Sequence, residues 1–388
     1  MGACYIAYMD TRLLPTSGGA SSRLQNRVQN WTLTYIPYLH HNGLRATTSS
    51  AMSPAHGSVF EAAIQVTPLG SHRYSAHLED AWCIGSVPHG GYTSSVLYRL
   101  ALVHFAQTHP TLYNGPATPI TMQLAFLRRT AVGPAVLTVQ DTKLGRRTST
   151  VHVTLSQPPE RKKTASKNNQ AEELEVKVAG YITVSPAHAE VGLTTSTGWE
   201  LSPPPPPGSQ PDGTVHLAAL GDTGRDGAWT RFSMPFPSFR RATAHAELYG
   251  PDPASAPVSG QRTVVDQWAR FRPNGDVSSR WTNEALVYLT DLFPGALSEF
   301  DDMATTSGDQ GHARNWYPTV TLNIDLKRRL PAEGVEWLYS RVQTKLVREG
   351  RTDLDVTVLD GRGQVVALST QVGLVVSASR NIGGRQKL

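Results

Sequence analysis

The stretch Pro88-His89-Gly90-Gly91-Tyr92 leads directly into an apolar, helix-forming run, and the first half of the fold is built around this transition. The run is apolar on more than one helical face, which indicates a helix surrounded by protein. Paired glycines let a backbone approach a ligand closely, and the free N–H groups of a helix start can stabilise negative charge. A tight loop that enters a core helix would suit the same residues. The predicted oxyanion and substrate-binding site comprises His89, Gly90, Gly91 and Tyr92.

The composition indicates a globular protein with no specialised binding chemistry. With 388 residues the chain is long enough for two domains, and its 39% apolar and 17% charged residues are typical of soluble proteins. The net charge is +5, but the basic residues are dispersed, so we predict no nucleic-acid groove. No apolar run has the length of a membrane span. The only cysteines are Cys4 and Cys83, and no Cys/His motif has zinc spacing, so we predict neither metal nor cofactor.

The two ends of the chain look separate from the folded part. Residues 1–58 contain several arginines, many Ser and Thr and a single early acid, Asp10, which predicts a disordered or targeting leader that is dispensable for folding. The last three residues, 386–388, are Gln-Lys-Leu, similar to the peroxisomal Ser-Lys-Leu signal. Few cysteines favour a reducing, intracellular compartment, and cytoplasmic, peroxisomal and mitochondrial locations stay open.

The same order of elements occurs on both sides of a proline run. Five consecutive prolines, 203–207, predict a stiff linker over residues 198–215. Residues 59–197 and 216–380 each read as strand, loop, apolar helix and about four further strands, with a tail at 381–388. An antiparallel sheet wrapped around one helix buries such elements most simply, so we predict an α+β fold with two such halves in tandem.

The pattern also gives approximate element bounds. We expect the helix of the second half at 280–292, capped by Asp276 or Ser278. The expected strands are 59–66, 119–127, 135–144, 148–156, 174–184, 263–271, 317–326, 337–348, 354–360 and 364–377.

Three polar residues of the second half occupy unusual positions. Asp291 lies near the end of its predicted helix, where a carboxylate opposes the helix dipole by about 0.3–1 kcal/mol, and its apolar neighbours would raise its pKa. Alternation along the strand puts Thr319 on one face with Thr321 and Asn323. Gln371 is a poor strand former in an apolar segment. Each of these positions would equally suit a solvent-exposed side chain.

The familiar catalytic motifs do not occur in the sequence. There is no Gly-x-Ser-x-Gly, His-Glu-x-x-His, P-loop or Gly-x-Gly-x-x-Gly motif. Any catalysis should therefore use water and polar side chains.

Taken in order, these features resemble the acyl-CoA thioesterase II (TesB-like) family, which has a double hotdog fold. Asp291 falls on the helix aspartate of the family, Thr319 on the Ser/Thr of the next strand and Gln371 on the glutamine of the last strand. The first half matches through its Gly-Gly segment, the strand end at 126–129 and the hairpin at 145–147. The resemblance covers roughly residues 59–380.

The resemblance implies a thioester hydrolase in which Asp291, Thr319 and Gln371 bind and orient the attacking water. The substrate would be an acyl-CoA or acyl-carrier thioester, and thioester chemistry needs no metal. Two departures leave the substrate open: Val372 replaces an acid, and residues 321–322 replace an Asp-His pair. Arginines suit the CoA phosphates, although exposed surface positions would also explain them. These candidates are Arg128, Arg129, Arg146 and Arg147.

Other readings remain. A non-hydrolytic hotdog protein, such as a dehydratase, an isomerase or an acyl-binding module, would need a catalytic histidine and an acid, and His89 is the candidate histidine. A scaffold that presents the proline run as a ligand is a third class. A homodimer is possible for the hydrolase and for the non-hydrolytic hotdog protein.

Overall fold

The computed structural model describes the chain in four segments, 58–160, 173–252, 264–293 and 315–381. All four belong to one compact unit. Apart from Ser58, the predicted leader lies outside the described residues, as does the tail beyond 381. No helix in the described segments is long and apolar enough to cross a membrane.

The first half contains two helices and eight strands. They are α1 (Val59–Ala63), β1 (Thr67–Gly70), β2 (Arg73–Leu78), β3 (Cys83–Ile84), β4 (Val87–Pro88), α2 (Gly90–Thr108), β5 (Ala117–Phe126), β6 (Gly133–Lys143), β7 (Ser149–Gln157) and β8 (Glu175–Pro186).

The described part of the second half contains two helices and eleven strands. They are α3 (Leu217–Thr223), β9 (Arg225–Asp226), β10 (Trp229–Arg231), β11 (Ala246–Pro251), β12 (Val264–Phe271), α4 (Asn283–Leu289), β13 (Asn315–Trp316), β14 (Thr319–Leu326), β15 (Trp337–Gln343), β16 (Val347–Arg348), β17 (Arg351–Leu359), β18 (Val365–Leu374) and β19 (Val376–Ser377).

The two halves share one antiparallel sheet of 15 strands. Its order is β1-β2-β6-β7-β8-β5-β14-β18-β17-β15-β12-β11-β10-β9, with β16 paired to β17. The halves meet edge to edge where β5 pairs with β14, from Thr121 opposite Asp325 to Ala125 opposite Thr321. The predicted α+β tandem is confirmed, and its two sheets are continuous.

The central helices α2 and α4 pack against each other on the buried side of this sheet. α2 has 19 residues, and its first half is buried all round, as the apolar run predicted. α4 has only 7 residues and is capped by Thr282, whose Oγ1 accepts a hydrogen bond from Ala285 N at 3.3 Å. The predicted start at residue 280 and the predicted caps are wrong. Asp276 instead accepts hydrogen bonds from Ser278 in the preceding turn.

The first predicted strand, 59–66, is wrong for an identifiable reason. Ser58 and Glu61 form a reciprocal capping box that starts α1: Ser58 N donates to Glu61 Oε2 at 3.0 Å and Glu61 N to Ser58 Oγ at 3.2 Å. Phe60 and Ala63 are buried at helical spacing. The capping box was visible in the sequence as Ser-x-x-Glu.

The proline run lies along the second half of the molecule. Arg341 Nη1 donates to the carbonyl of Pro203 at 2.5 Å, and the indole of Trp229 donates to Pro206 O at 2.9 Å. The backbone of Ala228 donates to Pro207 O at 3.1 Å. The run is therefore anchored on the second half, while the proposed domain boundaries stay a prediction.

Candidate active site

The glycine pair at the start of α2 packs against the end of α4. A Cβ atom on Gly90 would lie 2.6 Å from Asp291 Oδ2, and one on Gly91 would lie 2.6 Å from the carbonyl of Tyr288. Close backbone approach was predicted, but toward a ligand. The structure shows that the neighbour is another helix end, which carries a carboxylate.

Asp291 follows the last turn of α4 and is held by both halves of the chain. Its side chain is only 3% exposed. Oδ2 accepts a hydrogen bond from the backbone N–H of Gly91 at 2.7 Å, and Oδ1 accepts one from Thr319 Oγ1 at 3.3 Å. The carboxylate opposes the dipole of its own helix but faces the positive end of α2, which compensates for this.

The surroundings of Asp291 act on its acidity in opposite directions. Burial raises the pKa of Asp291 above its ordinary value. A positive charge on the neighbouring His89 and the hydrogen bonds from Gly91 and Thr319 oppose that rise. Such a carboxylate is better suited to accepting a proton from water than an exposed aspartate is.

His89 caps α2 and stands beside Asp291. Its Nδ1 lies 3.7 Å from Asp291 Oδ2 and accepts from the same N–H of Gly91, at 3.2 Å. Burial lowers the pKa of His89, which favours the neutral ring. With Nδ1 acting as an acceptor, the proton of the neutral ring is on Nε2.

Thr319 reaches Asp291 because the strand is irregular at this point. Thr319 pairs with Gly373, whereas Thr321 pairs with Val372, so two residues of β14 correspond to one step of β18. This is a β-bulge, and it turns Thr319 onto the face of Gln371, away from that of Thr321. The predicted shared face of Thr319 and Thr321 is wrong, because simple alternation does not allow for an inserted residue.

Gln371, on β18, is hydrogen-bonded to the backbone at the end of α4. It is 4% exposed, and its Nε2 donates to the carbonyl of Thr290 at 2.9 Å. The predicted solvent-side alternative for this residue is therefore excluded. The structure brings Asp291, Thr319 and Gln371 together at one helix end, although they are spread over 80 residues of the sequence.

A cavity of about 250 Å³ opens over this carboxylate. Gly90 lines it, and none of the described residues accepts a hydrogen bond from the N–H of Gly90. The cavity walls are largely apolar and come from both halves. They include Ile84, Val87, Phe126, Phe239, Leu292, Phe293, Trp316, Tyr317 and Leu374.

Tyr92, predicted as a site residue, does not line this cavity. Its hydroxyl donates to Ala63 O at 2.8 Å and accepts from Glu79 N at 3.2 Å. Its ring is fully buried and stacks on Trp82, with 5.3 Å between ring centroids. Tyr92 therefore fixes α2 to the end of α1 and to the loop at Glu79, and it has no contact with the cavity.

The four candidate arginines divide into two pairs. Arg128 and Arg129 line the cavity. Arg128 pairs with Glu175 at 2.7 Å, and the guanidinium of Arg129 lies 5.5 Å from the ring centroid of Trp316. Arg146 and Arg147 are exposed at the β6–β7 turn and are not among the residues that line the cavity.

Sequence reasoning missed the contribution of one loop to the site. Phe239, Arg240 and Thr243 line the cavity from the segment between β10 and β11. This segment has no periodic pattern, and its only signal was a pair of arginines beside aromatic residues.

Comparison with known proteins agrees with this architecture. Residues 78–183 match the "Acyl-CoA thioesterase N-terminal domain" and residues 218–375 the "Acyl-CoA thioesterase C-terminal domain". The chain is 32% identical to thioesterase-like protein TwmA from Talaromyces wortmannii over 363 residues, covering 86% of this chain and 97% of that protein.

Two solved structures show the same fold at low sequence identity. A thioesterase II described as putative, from Thermobifida fusca YX, has a TM-score of 0.56 and 20% identity, covering 82% of this chain and 97% of its own. Acyl-CoA thioesterase II TesB2 from Mycobacterium marinum has a TM-score of 0.50 and 17% identity, covering 83% and 100%. The chain therefore belongs to the acyl-CoA thioesterase family, whose members are thioester hydrolases with a double hotdog fold.

Proposed function

We propose that this protein hydrolyses an acyl thioester, carried on CoA or on an acyl carrier, by direct attack of a water molecule held at Asp291. The observation that carries the proposal is the buried Asp291 carboxylate. It faces an apolar cavity and is fixed by the N–H of Gly91 and the hydroxyl of Thr319. A positioned carboxylate with a raised pKa has the properties of a general base.

In the proposed reaction, water oxygen bonds to the thioester carbonyl carbon while Asp291 takes the released proton. The C–S bond of the tetrahedral intermediate then breaks, and the leaving thiolate receives the proton that Asp291 took from the water, which restores the carboxylate. The products are the free acid and the free thiol. Thr319 orients the carboxylate directly, whereas Gln371 acts by fixing the carbonyl of Thr290 beside it.

The developing oxyanion needs a donor that is not already in use. The N–H of Gly91 is taken by Asp291, so we assign this role to Gly90, which lines the cavity at the positive end of α2. Gly91 therefore moves from the predicted oxyanion group to the group that positions the base.

The side chains of the cavity walls suggest where the acyl chain and the carrier of the substrate would lie. The aromatic and aliphatic side chains suit an acyl chain. Arg128 and Arg129 lie on the same cavity and suit an anionic carrier such as the CoA phosphates. Arg146 and Arg147 remain weaker candidates because they lie at the exposed β6–β7 turn.

The test is release of free thiol from a panel of thioesters by the purified full chain. We expect turnover of at least one acyl-CoA or acyl-carrier substrate, and the two carriers are assayed in parallel with matched acyl chains. No thiol release from any member of the panel would contradict the proposal.

One observation favours a second activity on the same cavity. His89 and Asp291 form a buried pair, and a histidine with an acid is what removal of water from a 3-hydroxyacyl thioester requires. The assay supplies a 3-hydroxyacyl thioester and measures the absorbance of the conjugated enoyl thioester that dehydration would form. Enoyl formation without thiol release would put dehydration ahead of hydrolysis.

A further inference from the structure

Three histidines converge on one aspartate at the other end of α2. Asp141 Oδ2 lies 3.1 Å from His72 Nε2 and 2.9 Å from His109 Nε2, and Oδ1 lies 2.9 Å from His104 Nε2. The ligand atoms of His72, His104 and Asp141 all lie within 4.8 Å of one another. None of these residues contributes to the thioester site.

The four side chains come from three separate elements, and the backbone is irregular at two of the four residues. His72 lies in the β1–β2 turn with φ of 60°, a left-handed conformation that is uncommon for histidine. Asp141 lies at a register shift between β6 and β7. His104 belongs to the last turns of α2, and His109 follows the helix. Backbone strain like that at His72 is usually retained where it positions a functional group.

The outer ring nitrogens are also hydrogen-bonded. His104 Nδ1 lies 2.9 Å from the hydroxyl of Tyr74, and His72 Nδ1 lies 2.7 Å from Ser71 Oγ. Both rings are thereby oriented with Nε2 directed at Asp141. Partners on the outer nitrogen are typical of metal-ligating histidines, because they fix the ring orientation and the tautomer.

We propose that His72, His104 and Asp141 bind one Zn²⁺ ion, with water in the fourth position and His109 hydrogen-bonded to the ligating carboxylate. In a tetrahedral zinc site with bonds of about 2.0–2.1 Å, ligand atoms lie roughly 3.3 Å apart. His72 Nε2 lies 3.1 Å from Asp141 Oδ2 and His104 Nε2 lies 2.9 Å from Oδ1, slightly less than that spacing. A bound ion would replace the two Nε2 protons that now donate to the carboxylate. Two imidazoles and one carboxylate suit zinc better than Mg²⁺ or Ca²⁺, which prefer all-oxygen sites.

The ion would act as a structural clamp and not as part of the thioester reaction. Gly90 and His104 are 14 residues apart on α2, which separates the two sites by roughly 21 Å along the helix. The clamp joins the β1–β2 turn, the end of α2 and β6. A cation is also favoured at this end of α2, because the helix dipole is negative there.

The sequence did not reveal this site because its ligands are far apart. His72 and Asp141 are separated by 69 residues, and His104 and Asp141 by 37. Zinc motifs that are recognisable from sequence have ligands two to five residues apart.

The test uses the full chain without a histidine tag, stripped with a chelator, and zinc ions as the probe. Calorimetric titration should give one bound ion per chain, and the Tm should rise with zinc concentration because only the folded chain offers the site. Co²⁺ in place of zinc should give the visible absorption of a tetrahedral complex. These readouts are independent of thioester turnover, so they are valid whatever the reaction proves to be.

Two variants and a matched control make the test specific. Asp141→Asn and His72→Ala should each weaken zinc binding at least 100-fold, and His72 is exposed enough for its removal to leave the fold intact. His152→Ala, on β7, removes a histidine whose ring contacts that of Tyr181 at a tilt outside the cluster, and this variant should bind zinc like wild type. The proposal would be overturned if His72→Ala bound zinc as tightly as wild type. It would also be overturned if wild type bound no zinc in the titration and its Tm did not change with zinc concentration.

Discussion

The two halves of the molecule repeat the same backbone but not the same chemistry. Pro119 and Thr121 of β5 lie 200 positions before Thr319 and Thr321 of β14. Both strands shift register at this point, β5 against β8 between Pro119 and Thr121, and β14 against β18 between Thr319 and Thr321. The bulge that exposes Thr319 to the site therefore has a counterpart, at which proline provides no hydroxyl.

The partner strands differ in the same way. Leu322 pairs with Gln371 in the second half, and the equivalent Met122 pairs with Ile182 in the first. Gln371, whose amide is hydrogen-bonded to the end of α4, therefore corresponds to the apolar Ile182 in the first half. The comparison teaches that the double fold offers two equivalent places, whereas the side chains equip one of them with Thr319 and Gln371.

The arginines that follow the two strands also differ. Arg129 lines the cavity at Asp291. Among the described residues it has only a loose ion pair, with Glu160 at 3.7 Å, besides its bonds to Ser86 and Arg380. The equivalent Arg329 does not line the cavity and is engaged by Glu190 at 2.6 Å and by Thr118 Oγ1 at 2.7 Å. Arg329 is therefore committed to an ion pair on the surface of the first half.

The largest expected effect comes from removing the carboxylate that distinguishes the second half. Asp291→Asn keeps the shape but removes the base, so kcat should fall by about 100-fold or more, roughly 2.7 kcal/mol. The Tm should stay the same or rise, because a buried charge is removed. Thiol-release kinetics and thermal melts measure both, with Asp325→Asn on β14 as the control. Wild-type turnover by Asp291→Asn would show that the site is assigned wrongly.

The next effect tests the contact between the two halves. In Gly91→Ala, the added methyl would lie 2.6 Å from Tyr288 O and 2.9 Å from Asp291 Cβ. Overpacking of this kind costs about 1–3 kcal/mol of unfolding free energy, and turnover should fall because Asp291 is displaced. Gly361→Ala is the matched control, since its nearest neighbour would be 3.9 Å away. Equal denaturation midpoints for the two variants would contradict the packing argument.

A smaller effect follows from giving the second half the side chains of the first. Gln371→Ile copies Ile182, and Thr319→Ala removes the hydroxyl that proline lacks at position 119. Each loses one hydrogen bond near the carboxylate, so each should reduce kcat about tenfold, roughly 1.4 kcal/mol. Because both act through Asp291, the double variant should lose less than the product of the single losses. Strictly multiplicative losses would mean that the two residues act separately.

The smallest effect at neutral pH concerns the acid limb of the pH profile. Burial raises the pKa of Asp291, so kcat/KM should start to fall at a higher pH than an ordinary aspartate would give, by about tenfold per pH unit below that pKa. For stability, a raised pKa in the folded state means that Asp291 favours folding only while protonated. That contribution is lost as the pH rises through the folded-state pKa.

The control for this pH dependence is again Asp291→Asn. Its stability advantage over wild type should therefore grow with pH, as denaturant titrations at several pH values would measure. A difference in stability that is constant from acid to neutral pH would show that Asp291 does not titrate in this range. His89 faces the same carboxylate, so His89→Gln separates its own titration from that of Asp291.

The regular parts of the fold could be predicted because they depend on local patterns. Alternation and hairpin turns located β14 and β18, and the resemblance to the acyl-CoA thioesterase II family pointed to Asp291, Thr319 and Gln371. What decides the geometry of the site is not local. The bulge that turns Thr319 inward is an inserted residue that alternation treats as regular.

Two other predictions failed, one because a local signal was overlooked and one because the contacting residues are far apart in the sequence. The α1 helix has a capping box at Ser58 and Glu61, which outweighs the β-like composition of the residues after it. The partner of the glycine pair could not be predicted, since Gly91 and Asp291 are separated by 200 residues. Sequence spacing carries no information about such a contact.

That same separation has a consequence for how the protein is made. Chains are synthesised at about 5–20 residues per second, so Asp291 emerges roughly 10–40 s after Gly91. Throughout that interval the start of α2 lacks the Asp291 carboxylate, and the edge of β5 lacks its partner strand β14. An exposed β edge of this kind invites pairing with another chain. Chaperones that bind nascent chains should therefore matter most during the seconds before the second half is complete.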